Sequence, residues 1–228
     1  NDELLRHLSD YDNLSVIAAV EQYAGRGQRG NRWLSRPGDN LTFSMLLRPV
    51  ALPVKDMMSI TFLSTLVIRD WLRSKAVSAQ IKWPNDIYVG GRKICGMLIE
   101  NGLEAGRIAW SVIGIGLNLN QTEFPGELVN PTSLKRVAGE EYDPVLALEE
   151  ICRLFEEYLP GLDTNREKLQ TAYESELFQK DVLRPYRDLP TGDVFEGTIK
   201  GVSSEGRLLV DRDGKTGSYG FKELGYIL

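Results

Sequence analysis

The chain has 228 residues, and its 27 Lys and Arg residues against 32 Asp and Glu residues give a formal net charge of −5. This balance disfavours a general nucleic-acid-binding protein, because such domains usually carry a basic surplus. The composition, with 42% hydrophobic and 26% charged residues, is typical of a folded globular protein and excludes a disordered chain.

Histidine and cysteine are both scarce. The single histidine, His7, excludes a zinc site built from histidines and disfavours a Ser-His-Asp triad. Cys95 and Cys152 lie far apart without a Cys-x-x-Cys pattern, which argues against a metal knuckle or a disulfide framework and favours a reducing cytoplasm. The longest apolar stretches fall well short of the roughly 20 residues that a bilayer-spanning helix needs, so no membrane span is predicted.

Short β-branched or apolar runs, bounded by turn residues, predict a series of strands in the first part of the chain. They are Val16–Tyr23, Leu41–Leu47, Ile81–Trp83, Asp86–Val89, Lys93–Glu100 and Ile108–Leu119. Apolar residues at helical spacing predict one long buried helix between Asp56 and Lys75. Asn101-Gly102 is expected to begin the link between the last two strands, because Asn-Gly is a strong hairpin signal. The middle section is therefore predicted to be an antiparallel meander.

Two helices and a group of short strands are predicted in the rest of the chain. Asp143-Pro144 has the form of an N-cap followed by proline at the first helical position, and the apolar spacing over Leu169–Leu177 outlines a second helix. The predicted strands that follow are Asp193–Val202, Leu208–Asp211 and Ser218–Phe221. Asp213-Gly214 is the predicted turn before the last strand. The change from helices to short strands with glycine turns predicts an α/β domain at 1–180 and a small β-barrel at 181–228.

The segment from Gly25 to Gly30 matches G-x-G-x-x-G, the dinucleotide-binding fingerprint, but its context contradicts a dinucleotide site. Such a turn must open a helix whose N-terminus holds the pyrophosphate, and the segment 31–38 cannot form that helix. Arginines are concentrated here on a glycine-rich backbone, at Arg26, Arg29, Arg32 and Arg36. Guanidinium groups and open backbone N–H groups bind phosphate or carboxylate, and Trp33 adds a stacking face. We therefore favour an anion or nucleotide site over a solvated surface loop.

Two further segments carry residues suited to chemistry. Lys93 lies among apolar strand residues, so its ammonium either points to solvent or meets an anion. Asp86 follows Pro84-Asn85 and either caps a turn or takes part in a reaction. In the segment 114–120, apolar residues alternate with Gly and Asn. A glycine inside a strand marks either the close approach of a ligand or tight packing of the strands.

Four motifs occur in the order and spacing of the biotin protein ligases, and the chain resembles that family over essentially its whole length. They are Gln22–Trp33, Lys82–Asp86, Gly91–Gly96 and Gly114–Asn118. Each motif alone has low specificity, but four in register are highly specific. The resemblance implies an α+β fold, with a mixed, largely antiparallel sheet and helices akin to those of class II aminoacyl-tRNA synthetases and lipoate ligases. It also implies a small C-terminal SH3-like β-barrel.

The resemblance implies ATP-dependent biotinylation of a specific lysine on a biotin carboxyl carrier domain. Biotin and ATP would form biotinyl-5′-AMP with release of pyrophosphate, and Mg²⁺ would accompany ATP as a charge clamp. The expected partner is the carrier protein or domain of a biotin-dependent carboxylase, without nucleic acid or membrane, and the expected location is the cytoplasm. A homodimer is a further option, because family members often dimerise through an exposed sheet edge.

The family motifs also imply roles for individual residues. Catalysis falls to Lys93, which would bridge the biotin carboxylate and the α-phosphate, to Arg26, and to Asp86, which would orient or deprotonate the acceptor lysine. The positions expected to bind biotin are Asn1, Gln22, Gly25, Arg26, Gly27, Gln28, Lys93, Gly96, Gly114 and Gly116. The positions expected to bind ATP or the adenylate are Arg29, Arg32, Trp33 and Asn118. No residue is assigned to a metal ion.

Two positions depart from the family pattern. Gln28 stands where family members usually have an arginine that helps to retain the adenylate. Asn1 represents the family's Ser-Thr-Asn biotin motif by itself, so the Ser and Thr are expected in a segment that precedes it. The N-terminal helix-turn-helix domain of the longer repressor members is not visible in this sequence.

Three other functions stay open at this point. A lipoate-protein ligase shares the fold and the adenylate chemistry but would be expected to have a different, His-containing glycine-rich motif. A regulatory module would bind biotin or its adenylate without turnover. A nucleic-acid-binding regulator ranks third because the net charge is −5.

Overall fold

A computed structural model of the chain describes residues 1–27, 32–49 and 52–228, apart from the side chain of Asp163. The described residues form five α-helices and two antiparallel sheets. The helices are α1 (Asp2–Arg6), α2 (Met58–Ser74), α3 (Leu134–Ala138), α4 (Pro144–Thr164) and α5 (Arg166–Ser175). The strands of the first sheet are β1 (Val16–Ala19), β2 (Leu41–Leu47), β3 (Gln80–Lys82), β4 (Asp86–Val89), β5 (Arg92–Glu104) and β6 (Arg107–Leu117). Those of the second sheet are β7 (Leu183–Asp188), β8 (Val194–Val202), β9 (Leu208–Arg212), β10 (Lys215–Tyr219) and β11 (Leu224–Tyr226).

The six-stranded sheet has the order β1-β2-β6-β5-β4-β3, and every pairing between these strands is antiparallel. Its centre is the long β5–β6 hairpin, in which Gly96 pairs with Gly116 and Leu98 with Gly114. Parallel contacts occur among the described residues as isolated bridges, for example between Ile81 and Leu177. The predicted antiparallel meander and the α+β class are confirmed.

One face of this sheet packs on the helices and forms the hydrophobic core. The apolar residues of α2 repeat at helical spacing, and its small polar residues bond within the helix, as where Ser64 Oγ donates to the Ile60 carbonyl at 2.7 Å. The helices α4 and α5 contact α2. Strand residues at most 4% exposed on this side include Phe43, Met45, Cys95, Met97, Ile113, Ile115 and Leu117. The long buried helix predicted between Asp56 and Lys75 is confirmed.

The turn between β5 and β6 lies at Ala105-Gly106, and the prediction that Asn101-Gly102 begins this link is wrong. β5 continues to Glu104, and Gly102 pairs across the hairpin with Trp110. A Cβ atom at Gly102 would lie 2.1 Å from Cε2 of the Trp110 indole, so this glycine permits the close approach of the ring. The positive φ angles that a tight hairpin turn needs occur at Ala105 (47°) and Gly106 (77°) instead.

The C-terminal sheet has the order β10-β9-β8-β7-β11 and is antiparallel throughout. The turn predicted at Asp213-Gly214 is confirmed, and β10 follows it directly at Lys215 rather than at the predicted Ser218. The sequence gives no prediction of β7, because Pro185 weakens the strand signal, or of β11. Among the described residues, β11 pairs with Tyr186–Asp188 of β7, so β11 does not cover β7 at the proline. The SH3-like character of this sheet and the division after residue 180 stay predictions.

The N-terminal region and the helices α3 and α4 complete the fold. The predicted strand Val16–Tyr23 is too long, because β1 ends at Ala19 and the apolar side chain of Val20 beyond it is 78% exposed. The predicted N-cap of α4 is confirmed, since Asp143 Oδ1 accepts a hydrogen bond of 2.8 Å from the Val145 amide. The short helices α1 and α3 are not predicted from the sequence. No helix among the described residues is both long enough and apolar enough to cross a bilayer.

Candidate active site

The face of the six-stranded sheet that points away from the core has a floor of small residues. Side chains alternate along a strand, so residues between the core positions project to this opposite face. Antiparallel pairing aligns them in rows across β2, β6 and β5: Thr42 with Gly116 and Gly96, and Ser44 with Gly114. Because three of these positions are glycines, groups can approach the backbone of the sheet closely here.

The Trp33 indole lies directly on this floor. A Cβ atom at Gly116 would lie 2.3 Å from Cε2 of Trp33, and one at Gly96 would lie 3.2 Å from its Cζ3. A side chain at Gly116 would therefore require the ring to move, and one at Gly96 would press on both the ring and the end of the Lys93 side chain. The Nε1 atom of Trp33 is buried and has no hydrogen-bond partner among the described residues. A buried donor without a partner is costly, so this N–H is suited to a ligand acceptor.

The described ends of the glycine-rich segment, residues 25–27 and 32–33, lie side by side, and no helix follows directly after them. The Trp33 amide donates to the Gly25 carbonyl at 2.9 Å, and Arg26 and Arg32 form an isolated antiparallel bridge. A Cβ atom at Gly25 would lie 2.2 Å from the Trp33 carbonyl oxygen and 2.8 Å from Oε1 of Gln22. The described residues 32–40 contain no helix, which agrees with the rejection of a dinucleotide-binding turn.

Lys93 and Asp86 form an ion pair at the end of the glycine floor, with 2.6 Å between Nζ and Oδ1. The Lys93 ammonium also lies 5.8 Å from the ring centroid of Trp33. The backbone of Lys93 is fixed on both sides, since its amide donates to the Asn130 carbonyl at 2.7 Å and its carbonyl accepts from Thr132 at 2.8 Å. The ammonium thus faces the same floor as Trp33 and is not simply a solvent-facing group.

Arg26 and Asn1 meet at the other side of the floor through acidic partners. Arg26 pairs with Asp2 and lies 3.6 Å from Glu100. The Asn1 amide donates to Glu100 Oε2 at 2.7 Å, while its Oδ1 accepts from Ser44 Oγ at 2.8 Å. Asn1 and Arg26, two of the residues predicted to bind biotin, are therefore held at this edge by carboxylates.

Asn118 and Arg32 are, besides Trp33, the described residues that are predicted to bind ATP or the adenylate. Asn118 Nδ2 donates to the Thr132 carbonyl at 2.9 Å, but its Oδ1 is buried without a partner among the described residues. Arg32 lines a cleft of about 400 Å³. Its other lining residues include Gln22, Trp33, Arg36, Gln121 and Phe124. Trp33 borders both this cleft and the floor, and the cleft carries both cationic and amide side chains.

Cys95 lies next to the site in sequence but contributes no reactive thiol. Its side chain is fully buried in the core, and burial raises the pKa of the thiol well above its ordinary value. A thiol with a raised pKa is a poor nucleophile. Covalent catalysis by this cysteine is therefore not supported.

The structure brings most of the predicted site residues to one face. Lys93, Asp86 and the three strand glycines line the floor, and Gly25 lies against both the Trp33 carbonyl and the Gln22 side chain. Gly27 is half-buried, and Gln28 and Arg29 fall outside the described residues. Sequence reasoning missed Glu100, Ser44 and Asp2, which hold Asn1 and Arg26. The polar alternation of β5 and β2 is the only signal that pointed to the first two.

Together, these features define an α+β protein with a cluster of charged and polar side chains on the open face of an antiparallel sheet. The biotin protein ligase of Aquifex aeolicus in complex with biotin and ATP has a similar fold, with a TM-score of 0.76 and 23% sequence identity over 96% of this chain and 92% of that chain. A profile of the biotin/lipoate A/B protein ligase family matches residues 1–118, and the chain belongs to this family.

Two curated relatives extend the comparison. The bifunctional ligase/repressor BirA of Bacillus subtilis (strain 168) is 31% identical over 202 residues, which cover 86% of this chain and 61% of that relative. The biotin--[acetyl-CoA-carboxylase] ligase of Paracoccus denitrificans is 30% identical over 173 residues, covering 72% of this chain and 70% of that relative. The match to this chain thus spans about three-fifths of the length of the BirA relative.

Proposed function

We propose that this protein attaches biotin to a specific lysine of a biotin carboxyl carrier domain, using ATP and a biotinyl-5′-AMP intermediate. The observation that carries the proposal is the Lys93–Asp86 pair at the end of a glycine floor, beside the indole of Trp33. Membership of the biotin/lipoate ligase family and the names of the relatives support the choice of biotin.

The first step activates the carboxylate of biotin, which is a poor electrophile. One of its oxygens attacks the α-phosphorus of ATP, the bond to the β-phosphate oxygen breaks, and pyrophosphate leaves. The protein must bring two anions together and exclude water from the mixed anhydride. Lys93 supplies a cation where negative charge grows, which is the most effective kind of electrostatic assistance.

Biotin is assigned to the glycine floor. Gly96, Gly114 and Gly116 let Lys93, Asn1 and Trp33 lie close against the sheet, and these three side chains border the proposed biotin site. Asn1 and Gln22 offer amide groups to the ureido ring. Arg26 completes this end of the site, with its guanidinium held by Asp2 and Glu100. Gly25 lets the Trp33 carbonyl approach the loop backbone, so the wall of the site remains compact. Gly27 and Gln28, which follow Arg26 in the family motif, are also assigned to biotin binding.

The adenylate is assigned to the region around Trp33. Trp33 Nε1 and Asn118 Oδ1 are a buried donor and a buried acceptor that lack partners among the described residues, so both are available to a ligand. Arg32 lines the adjoining cleft and carries a positive charge for a phosphate oxygen. Arg29 belongs to this group by its place in the family motif.

The second step transfers biotin from the adenylate to the acceptor lysine. The lysine nitrogen attacks the acyl carbon, AMP leaves, and one proton must be removed from the amine. Asp86 lies at the open face beside Lys93 and is the carboxylate assigned to orient the amine or accept this proton. The acceptor is the carrier domain of a biotin-dependent carboxylase, as the name of the Paracoccus relative suggests.

Mg²⁺ is assigned to ATP rather than to a protein site. This ion is usually held by one or two carboxylates together with substrate phosphates. The described carboxylates at the site are each paired with a cation, Asp86 with Lys93 and both Asp2 and Glu100 with Arg26. The described residues contain no cluster of three or more groups able to hold a metal ion. We therefore assign no protein ligand and no catalytic step to the metal.

A biochemical assay with two readouts tests this function. Pyrophosphate release is measured with ATP plus biotin, with ATP alone, and with lipoate in place of biotin. A carrier domain is then added, and its mass is expected to rise by one biotinyl group on one lysine. Pyrophosphate release with lipoate but not with biotin would identify a lipoate ligase, and tight biotin binding without pyrophosphate would identify a regulatory module.

Three further properties belong to the same proposal. The isolated thiols and the use of ATP favour a cytoplasmic location. A division into a catalytic domain at 1–180 and a C-terminal domain at 181–228 follows the change from the six-stranded to the five-stranded sheet. Self-association into a homodimer is tested by sedimentation with and without biotin and ATP.

A further inference from the structure

The turn at 82–86, which connects β3 to β4, is held by contacts from outside the six-stranded sheet. The Trp83 Nε1 atom donates to the Gly206 carbonyl at 3.0 Å, just before β9 of the C-terminal sheet. The Tyr173 hydroxyl of α5 donates to the Pro84 carbonyl at 2.8 Å. The C-terminal sheet and α5 therefore fix the backbone that leads to Asp86.

Lys82 is the charged residue of this turn that the proposed reaction does not use. It pairs in register with Asp86 across β3 and β4, so both side chains project from the open face. Its ammonium lies 5.3 Å from the ring centroid of Tyr88 and 4.5 Å from that of Tyr226 in β11. No carboxylate in the described part of the chain forms an ion pair with Lys82. The two aromatic faces thus take the place of a close counter-ion.

The surroundings of Lys82 make its charge sensitive to its neighbours. Burial is the largest influence and lowers the pKa of Lys82, the charge of Lys93 lowers it further, and Asp86 opposes both. The Lys82 ammonium is therefore stabilised by the Asp86 carboxylate and destabilised by Lys93. The stabilisation of the Lys82 ammonium by Asp86 is therefore expected to be greatest when Lys93 is bound to another anion and not to Asp86.

We propose that Lys82 is a positioning residue for Asp86, and that the ring of Tyr226 makes the C-terminal sheet part of this arrangement. The inference rests on the proposed function. In this structure Asp86 pairs with Lys93 at 2.6 Å. When Lys93 is drawn to the carboxylate and phosphate oxygens of the substrates, Lys82 remains as the cation on the same face that holds Asp86 in place for the acceptor lysine.

The test compares Lys82→Met, which keeps the length of the side chain without its charge, with Lys82→Arg, which keeps the charge and stacks on aromatic rings. Single-turnover experiments measure adenylate formation and biotin transfer to the carrier separately. We expect Lys82→Met to slow transfer by about 10- to 100-fold, the scale expected when a reacting group is displaced by about 1 Å. Adenylate formation should fall much less, and Lys82→Arg should restore most of the transfer rate.

Tyr226 provides the second arm of the test. Its hydroxyl makes no hydrogen bond among the described residues, so Tyr226→Phe keeps the aromatic face, whereas Tyr226→Leu removes it. Tyr226→Leu should slow transfer, as Lys82→Met does. The loss should be larger for Tyr226→Leu than for Tyr226→Phe. Lys215→Met, at an exposed position in β10, is the matched control for loss of a lysine charge. Thermal unfolding of each variant measures any loss of stability.

A double-mutant comparison separates positioning from structural support. If Lys82 acts through Asp86, Lys82→Met should have little further effect on transfer in an Asp86→Asn background. Additive losses, equal losses in both half-reactions, or wild-type transfer by Lys82→Met would each overturn the proposal. Wild-type rates are measured first, because absence of pyrophosphate release from the wild-type protein would instead contradict the proposed function.

Discussion

The two faces of the six-stranded sheet are made by alternate residues of the same strands, yet their compositions are opposite. On β6, Ile113 and Ile115 are at most 3% exposed and point into the core, while Gly114 and Gly116 between them carry no side chain. On β5, Met97 faces the core and Gly96 faces the floor beneath Trp33. A shift of register by one residue would exchange these sets, so the apolar residues also fix where the floor lies.

This contrast explains how a stable sheet can provide a binding surface. Burial of large apolar side chains on one face supplies the free energy of folding, at roughly 25 cal/mol for each Å² of apolar surface removed from water. The other face is then free to carry residues that do not contribute to the core, including the Lys93–Asp86 ion pair and Trp33, whose Nε1 atom has no partner among the described residues. Substitutions on the two faces should therefore have separable effects.

The largest expected effect on the open face is that of Lys93→Ala on adenylate formation. The substitution removes a cation aimed at charge that develops in the transition state, and loss of one such group typically costs about 10²–10³ in rate. Pre-steady-state measurement of biotinyl-5′-AMP formation checks this, with unfolding temperature as the measure of intact fold. Formation of the adenylate at the wild-type rate would show that Lys93 does not assist this step, and would support the alternative that its ammonium only faces solvent.

Much of this contrast could be predicted from the sequence, because it depends on local patterns. The long helix, the strand positions and the glycines of the floor follow from periodicity and motif spacing. The position of the hairpin turn could not be predicted, because Gly102 reads as a turn glycine in the sequence. In the sheet it lies opposite Trp110, eight residues away along the chain, and makes room for the Trp110 ring. The contact of Lys82 with Tyr226 joins the two sheets, and no local pattern predicts it.

Asp86→Asn is expected to affect the second half-reaction. Asparagine keeps the size of the side chain but neither accepts a proton nor holds a cation, and general acid–base groups typically contribute about 10²–10⁴ in rate. We expect a loss near the lower end of that range in transfer, with adenylate formation affected less. Transfer from preformed adenylate is followed in a single turnover. Equal losses in both steps would indicate that Asp86 mainly supports the turn.

Gly116→Ala adds one methyl group to the floor, where it would lie 2.3 Å from Cε2 of Trp33. The ring must move, and overpacking of this kind typically costs about 1–3 kcal/mol. We expect weaker biotin binding by calorimetry and a change in tryptophan fluorescence. Gly126→Ala is the control, because a Cβ atom there meets no atom within 4 Å.

Ile113→Val is the corresponding change on the core face. It deletes one methylene from a fully buried residue and should lower the free energy of unfolding by about 0.5–1.5 kcal/mol. Biotin affinity at a temperature where both proteins are folded should stay at the wild-type value. If Ile113→Val weakens biotin binding as much as Gly116→Ala does, the two faces are not separable.

The smallest expected effect is that of a substitution at Gln28, which lies outside the described residues. Gln28→Arg should slow the escape of biotinyl-5′-AMP, because a guanidinium forms charge-assisted contacts with phosphate or carbonyl oxygens that a neutral amide cannot. A charged hydrogen bond exceeds a neutral one by about 1 kcal/mol, which corresponds to about a fivefold lower dissociation rate.

The contacts of Arg26 strengthen the case for an effect at Gln28. Its guanidinium is paired with Asp2 and lies 3.6 Å from Glu100, so part of the positive charge of the loop is already neutralised by the protein. An arginine at position 28 would add a further positive charge, and its repulsion from Arg26 would be reduced by the carboxylates that pair with Arg26. Release of preformed adenylate is measured for the wild type and Gln28→Arg at two salt concentrations, since salt screens a charged contact. Unchanged or faster release would show that the glutamine does not limit retention, and that the floor and Trp33 hold the adenylate without help from position 28.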